Sequence, residues 1–200
     1  MNILFAPFPE TVSVSGRDYR IVTDFREWIK LSELLQYTER FTVQVRDMIL
    51  EWYIDPPPPD ERESIYALTE FLAADAIHLE SFREGSEEEP VDGAYTRRKR
   101  SLEGVYSFRE DAICIYSAFR SVYGIDIESV PYMHWWKFLV LFEGLPANTE
   151  IKERIYYRSI DLNEVEDKEE RKRIKKIKKQ IALRKPNRVM DDYQIGDMFA

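Results

Sequence analysis

The sequence contains a single cysteine, so no disulfide bond can form within the chain. It also lacks the motifs that commonly mark catalytic or metal sites: there is no glycine-rich phosphate loop, no His-Glu-x-x-His motif and no paired-cysteine motif. Cys114 lies in an apolar helical context without a nearby cation, where we expect a buried, inert thiol. We therefore expect a non-catalytic protein with no cofactor and no metal.

Long apolar runs are absent as well. No stretch approaches the roughly 18 apolar residues that a membrane-spanning helix needs. The first residues have neither the basic charge nor the long apolar core of a signal peptide. We expect a soluble protein that contacts no membrane, and the initiating Met1 favours its translation as an independent chain.

The composition provides enough apolar material for one substantial core or two small helical lobes. Hydrophobic residues make up 44% of the 200 positions and aromatic residues 14%. Apolar and polar residues alternate around Gly16, which predicts a short β-hairpin. The apolar spacing of the rest predicts helices over about 24–35, 39–53, 60–83, 107–123, 132–143 and 168–185.

The predicted fold class is thus mainly α, a multi-helix bundle with a short N-terminal β-hairpin and two helical lobes. A change to charge, glycine and proline marks an acidic linker between the lobes. The last 15 residues have no capped apolar run, which predicts a mobile tail or a peptide that docks on a partner. The predicted divisions are residues 1–83 for the hairpin and first lobe, 84–94 for the linker, 95–185 for the second lobe, and 186–200 for the tail.

Two adjacent tryptophans, Trp135 and Trp136, begin the most apolar segment of the chain. Almost every side chain from 132 to 142 is large and apolar, which predicts a helix buried nearly all round. Gly144 is suited to end this helix, and Pro146 blocks its continuation. His134 precedes the tryptophans. It is the one candidate for a general base, but no nucleophile or second ligand stands at a matching spacing, and a hydrogen-bonded structural histidine is the alternative.

Charge is distributed unevenly along the chain. Residues 168–185 contain ten lysines or arginines and two glutamates, whereas the whole chain has a net charge of −8. Ile174, Ile177 and Ile181 recur at helical spacing, so this segment predicts a helix that docks on protein through one apolar stripe while its lysines face water. A basic helix of this kind also suggests an anionic partner, nucleic acid included. Nucleic acid is disfavoured because the helix has no aromatic residue to stack on bases.

Several short motifs resemble those of a bacteriophage family. They are Thr23-Asp24-Phe25-Arg26, Tyr123-Gly124-Ile125-Asp126, His134-Trp135-Trp136-Lys137-Phe138, Gly144-Leu145-Pro146, and Ile-Tyr-Tyr-Arg-Ser-Ile-Asp-Leu over 155–162, in which Ile160 replaces a methionine. This set resembles the phage gene-product-fifteen family of the tail module, and the likeness is weakest between residues 55 and 100.

The resemblance implies a tail assembly chaperone that binds the long helical tape measure protein in the host cytoplasm, alongside other tail assembly proteins. The sequence leaves open whether the protein also forms homo-oligomers. Two further functions remain as alternatives: a structural tail component retained in the virion, and a nucleic-acid-binding module that uses the helix at 168–185. A chaperone for a helical client needs exposed apolar grooves and solubilising charge. The candidate partner-binding residues are Trp28, Trp52, Trp135, Trp136, Lys172, Lys175, Lys176 and Lys179, with core packing as the alternative role of each tryptophan.

Overall fold

The computed structural model describes residues 4–38, 40–74 and 105–184. The predicted linker at 84–94 and the predicted tail at 186–200 lie outside these residues. Within the described part, a two-stranded antiparallel sheet precedes seven helices, which confirms a mainly α fold with an N-terminal hairpin. The elements are β1 (Thr11–Val14), β2 (Arg17–Arg20), α1 (Phe25–Tyr37), α2 (Val43–Leu50), α3 (Glu61–Ala73), α4 (Ala112–Tyr123), α5 (Trp135–Glu143), α6 (Glu150–Ser159) and α7 (Lys168–Gln180).

These elements form two compact units that do not follow the order of the chain. Of the described residues, the first unit contains 4–38, 40–74 and 131–140, and the second contains 105–130 and 141–184. The predicted second lobe began at residue 95, yet residues 131–140 cluster with the first unit. The division into two contiguous lobes remains a prediction, because the linker that would separate them is not described.

The hairpin of the first unit turns at Ser15 and Gly16. Both residues have positive φ, 51° and 74°, as a two-residue type I′ turn requires. Thr11 pairs with Arg20 and Val14 with Arg17. Val12 and Val14 are buried while Ser13 is exposed, so one face of β1 packs on the protein, where its main neighbour is α3.

Helices α1, α2 and α3 of the first unit each begin at a residue that caps them. The side chains of Asp24, Thr42 and Asp60 accept hydrogen bonds from the backbone at the starts of α1, α2 and α3. Helix α2 ends at Leu50 and so falls short of the predicted Tyr53. The chain leaves the helix there because backbone bonds join it to the end of the hairpin: Val22 N donates to Trp52 O and Ile54 N to Arg20 O.

Helix α5 begins at Trp135, three residues later than predicted. The preceding residues are held extended against the start of α1, because Phe25 N donates to Met133 O and Trp135 N donates to Thr23 O. The helix is buried on most sides, but Lys137 and Glu143 are exposed, and Tyr132 before it is 52% exposed.

In the second unit, α4 starts at Ala112 because residues 107–111 form a closed turn instead of the predicted first helical turn. Asp111 N donates to Ser107 O at 2.9 Å, and Ser107 N donates to the Asp111 carboxylate at 3.1 Å. The helix ends at Gly124, whose φ of 68° is the left-handed C-cap that the sequence predicts. Helix α6 packs on α4, and α7 packs on α6.

Candidate partner-binding site

Three of the four candidate tryptophans lie in the core of the first unit. Trp28, Trp135 and Trp136 are 0%, 2% and 7% exposed. Each indole N–H donates to a backbone carbonyl: Trp28 to Val22 at 2.7 Å, Trp135 to Leu72 at 3.0 Å and Trp136 to Phe71 at 2.9 Å.

The aromatic rings of this core also contact one another. The Phe71 ring lies 4.5 Å from the Trp28 ring and 5.1 Å from the Trp136 ring, measured between centroids. Each of these three tryptophans is buried and has its N–H group hydrogen-bonded to a backbone carbonyl. The burial therefore supports core packing as their role. Direct contact with a partner through them stays a prediction that requires this core to open.

Trp52 differs from the other three tryptophans. Its side chain is half-buried at the end of α2, and its buried Nε1 has no hydrogen-bond partner among the described residues. Ile54, two residues later, is 58% exposed. Trp52 is therefore the one tryptophan candidate that reaches the surface of the first unit.

His134 links the N-terminal segment of the first unit to the start of α5. Its Nδ1 accepts a hydrogen bond from Trp136 N at 3.0 Å, which leaves the proton of the neutral ring on Nε2, where it donates to Pro9 O at 2.9 Å. Phe8 stacks on the ring with centroids 5.0 Å apart. Burial lowers the pKa of His134 below its ordinary value, although the bond to Pro9 and the charge of Glu10 act in the opposite direction. This is the geometry of a structural histidine.

The candidate lysines all lie on the exposed side of α7, in the second unit. Lys172, Lys175, Lys176 and Lys179 are exposed, while Ile174 is 5% exposed and faces the protein. The predicted apolar stripe is thus present. The tryptophans belong to the first unit and the lysines to the second.

The sequence analysis missed a second buried feature, an ion-pair network in the second unit. Asp111, at the start of α4, is 1% exposed and accepts hydrogen bonds from Arg154 and Arg158 of α6. Burial raises the pKa of Asp111, but the hydrogen bonds from Arg158, Ser107 and Arg154 outweigh it and hold the pKa below its ordinary value. Arg158 lies in one of the resemblance motifs, which was the available signal.

Exposed apolar side chains on α4 were also missed. Ile113 is 83% exposed and Tyr116, one turn later, is 37% exposed. The sequence pattern predicts both Ile115 and Tyr116 on the buried side of α4, because both fit an apolar pattern of period 3.6. The structure buries Ile115 and Phe119 and leaves Ile113 and Tyr116 in solvent, which creates an apolar surface on the second unit.

The described residues contain neither a metal cluster nor a membrane-spanning helix. No group of three or more histidine, cysteine, aspartate or glutamate side chains in that part of the chain could hold a metal ion. None of the helices that the structure describes is long and apolar enough to span a membrane.

Comparison with known families gives one match, to the family described as Bacteriophage Gp15 protein, over residues 5–183. Comparison with curated proteins and with solved structures gave no significant match.

Proposed function

Because the chain belongs to the Bacteriophage Gp15 protein family, we propose that it is a tail assembly protein that binds the tape measure protein as a non-catalytic chaperone during tail morphogenesis. The observation that carries this proposal is the family match, which extends over 5–183 and so includes both compact units. It acts in the host cytoplasm, where the tail is built, and leaves the tail when assembly is complete.

Exposed apolar side chains support a chaperone role. Holding an apolar helix requires accessible hydrophobic surface, since burial of that surface supplies most of the binding free energy. Ile113 and Tyr116 on α4 offer such surface in the second unit, and Trp52 and Ile54 offer it in the first. Trp135 and Trp136 are less suitable, because their surface is already used inside the protein.

Charge supports the same role in a different way. The chain has a net charge of −8, so copies of it repel one another and keep an apolar client in solution when bound to it. The proposal involves no nucleotide-driven cycle. Client binding then follows mass action, and the client is released when the growing tail tube binds it more tightly.

Quantitative mass spectrometry of purified particles tests the proposal. An assembly chaperone is abundant in infected cells during tail assembly and absent from finished particles. Detection at a fixed stoichiometry in finished particles would overturn the chaperone role and favour a structural tail component. A tail protein known to be retained serves as the positive control in the same sample.

A further inference from the structure

Five lysines occupy one face of α7, and we refer to them as the lysine face. At 3.6 residues per turn they lie within an arc of about 100° of the helix, and all of them are exposed. The face consists of Lys168, Lys172, Lys175, Lys176 and Lys179.

The opposite side of α7 fixes the direction in which these lysines point. Ile174 is buried, and Lys178 Nζ donates to the backbone carbonyls of Arg158 at 3.0 Å and Ile160 at 2.5 Å, at the end of α6. Arg158 Nε in turn donates to Ile181 O at 2.7 Å. Because the helix is held at its middle and at its C-terminal end, it cannot rotate to hide the lysine face.

The lysine face is unfavourable for the isolated helix. Its members stand three or four residues apart, the spacing at which like charges on a helix repel. Lys172 pairs with Glu169 at 2.7 Å, and the other four make no ion pair with any residue that the structure describes. Apart from the Lys172–Glu169 pair and the favourable position of Lys179 in the last turn, folding gains little from this arrangement, which is the pattern expected where function sets the residue choice.

We propose that the lysine face binds an acidic α-helical segment of a partner protein, with carboxylates repeated at i, i+3 or i+4, and i+7. From Lys168 to Lys179 the face extends over about 16 Å, or three helical turns, at 1.5 Å per residue. A partner helix of similar length lies along it and places its row of carboxylates against the lysines. Lys172 can leave its exposed ion pair with Glu169 for a carboxylate of the partner at little cost in free energy.

A protein helix fits this face better than nucleic acid does. The helix contains no aromatic side chain to stack on bases. Residues 164–170 include five acidic side chains, which stand at the N-terminal end of the face and repel a phosphate backbone that continues past it. A partner helix whose row of carboxylates ends at Lys168 does not continue over Glu164, Glu166 and Asp167. A membrane surface fits less well, since the exposed side of α7 has no large apolar residue to insert.

The test measures fluorescence anisotropy of labelled probes with the full chain at low salt. The main probe is an alanine-based peptide with glutamates on one helical face. The competitors are a peptide of the same composition with its glutamates spread around the helix, a short duplex DNA, and phosphatidylserine-containing vesicles. The face variant combines Lys172→Glu, Lys175→Glu and Lys179→Glu. The control variant combines Lys30→Glu, Arg62→Glu and Lys137→Glu, exposed residues of the first unit, so both variants have the same net charge.

We expect the one-faced peptide to bind about tenfold more weakly to the face variant than to the wild type, with little change for the control variant. We also expect it to bind more tightly than the evenly spread peptide. Equal binding by the face variant and the wild type overturns the proposal, as does tighter binding of the duplex or the vesicles. The partner is defined by its charge pattern alone, so the result is independent of the tape measure interaction.

Discussion

Arg158 Nη1 lies 2.6 Å from Asp111 Oδ2, and the two side chains are 6% and 1% exposed. Arg158 also donates to the carbonyls of Val105 and Ile181, so one guanidinium joins the start of α4, the helix α6 and the end of α7. A buried charge in such a position is stable only while its partner is present. The pair therefore specifies how the helices of the second unit are arranged.

Removal of one partner of this pair should destabilise the protein strongly. We expect Asp111→Asn and Arg158→Met each to lower the free energy of unfolding by about 3 kcal/mol, because the first leaves the buried Arg158 without its counter-charge and the second leaves the buried Asp111 with only the less buried Arg154 as its cationic partner. The double variant should lose clearly less than the sum of the two. Urea unfolding monitored by circular dichroism measures all three. Losses that are small and additive would contradict a tightly coupled pair.

His134 should make stability depend on pH in a defined window. Its pKa in the folded protein lies below the ordinary 6.5, so the unfolded chain binds the proton more readily. Stability is then complete above about pH 6.5 and falls as the pH is lowered towards the folded-state pKa. We expect the urea concentration at the unfolding midpoint of the wild type to decrease when the pH is lowered from 7.5 to 5.5. His134→Gln should reduce this dependence. An equal pH dependence in the variant would show that another group causes it.

Replacement by phenylalanine should affect stability differently at Trp136 and at Trp52. Trp136→Phe leaves the Phe71 carbonyl without its donor and opens space in the core, so we expect a loss of about 2 kcal/mol. Trp52→Phe removes a buried N–H that has no partner among the described residues, and we expect no loss of stability. Thermal unfolding of the two variants under the same conditions provides the comparison. A larger loss for Trp52→Phe would contradict the assignment.

The exposed surface of α4 should matter for binding and not for folding. We expect Ile113→Asp combined with Tyr116→Ser to change stability by no more than about 1 kcal/mol, since Ile113 is 83% exposed and Tyr116 is partly exposed. The same variant should weaken capture of the tape measure protein. Tyr156→Ser on α6 is a matched control, because Tyr156 is 62% exposed and lies outside this surface. Equal losses of binding in the two variants would show that α4 has no special role.

Local signals in the sequence predicted the hairpin and six of the seven described helices, but not α6, and α3 and α7 end at Ala73 and Gln180 instead of the predicted 83 and 185. Long-range contacts account for the late start of α5. Gly16 and Gly124 mark the hairpin turn and the end of α4 because positive φ strongly favours glycine. The start of α5 could not be predicted in the same way. Residues 132–134 have helical composition, yet they pair with residues more than 100 positions earlier, which no local pattern reveals.

The candidate site shows the same contrast. The lysines were assigned correctly to an exposed face, since a charged stripe opposite isoleucines has one favourable orientation. The tryptophans were ambiguous, because the same large aromatic area suits a core and a binding groove. Burial of Trp28, Trp135 and Trp136 depends on Phe71 and Leu72, which are distant in sequence.

Co-expression with the tape measure protein tests the central claim most directly, with affinity capture at low and at high salt. A chaperone that binds through apolar surface predicts a soluble complex that survives high salt and that the α4 variant weakens. Failure to capture or solubilise the tape measure protein, with this chain folded and in excess, would contradict the proposed function.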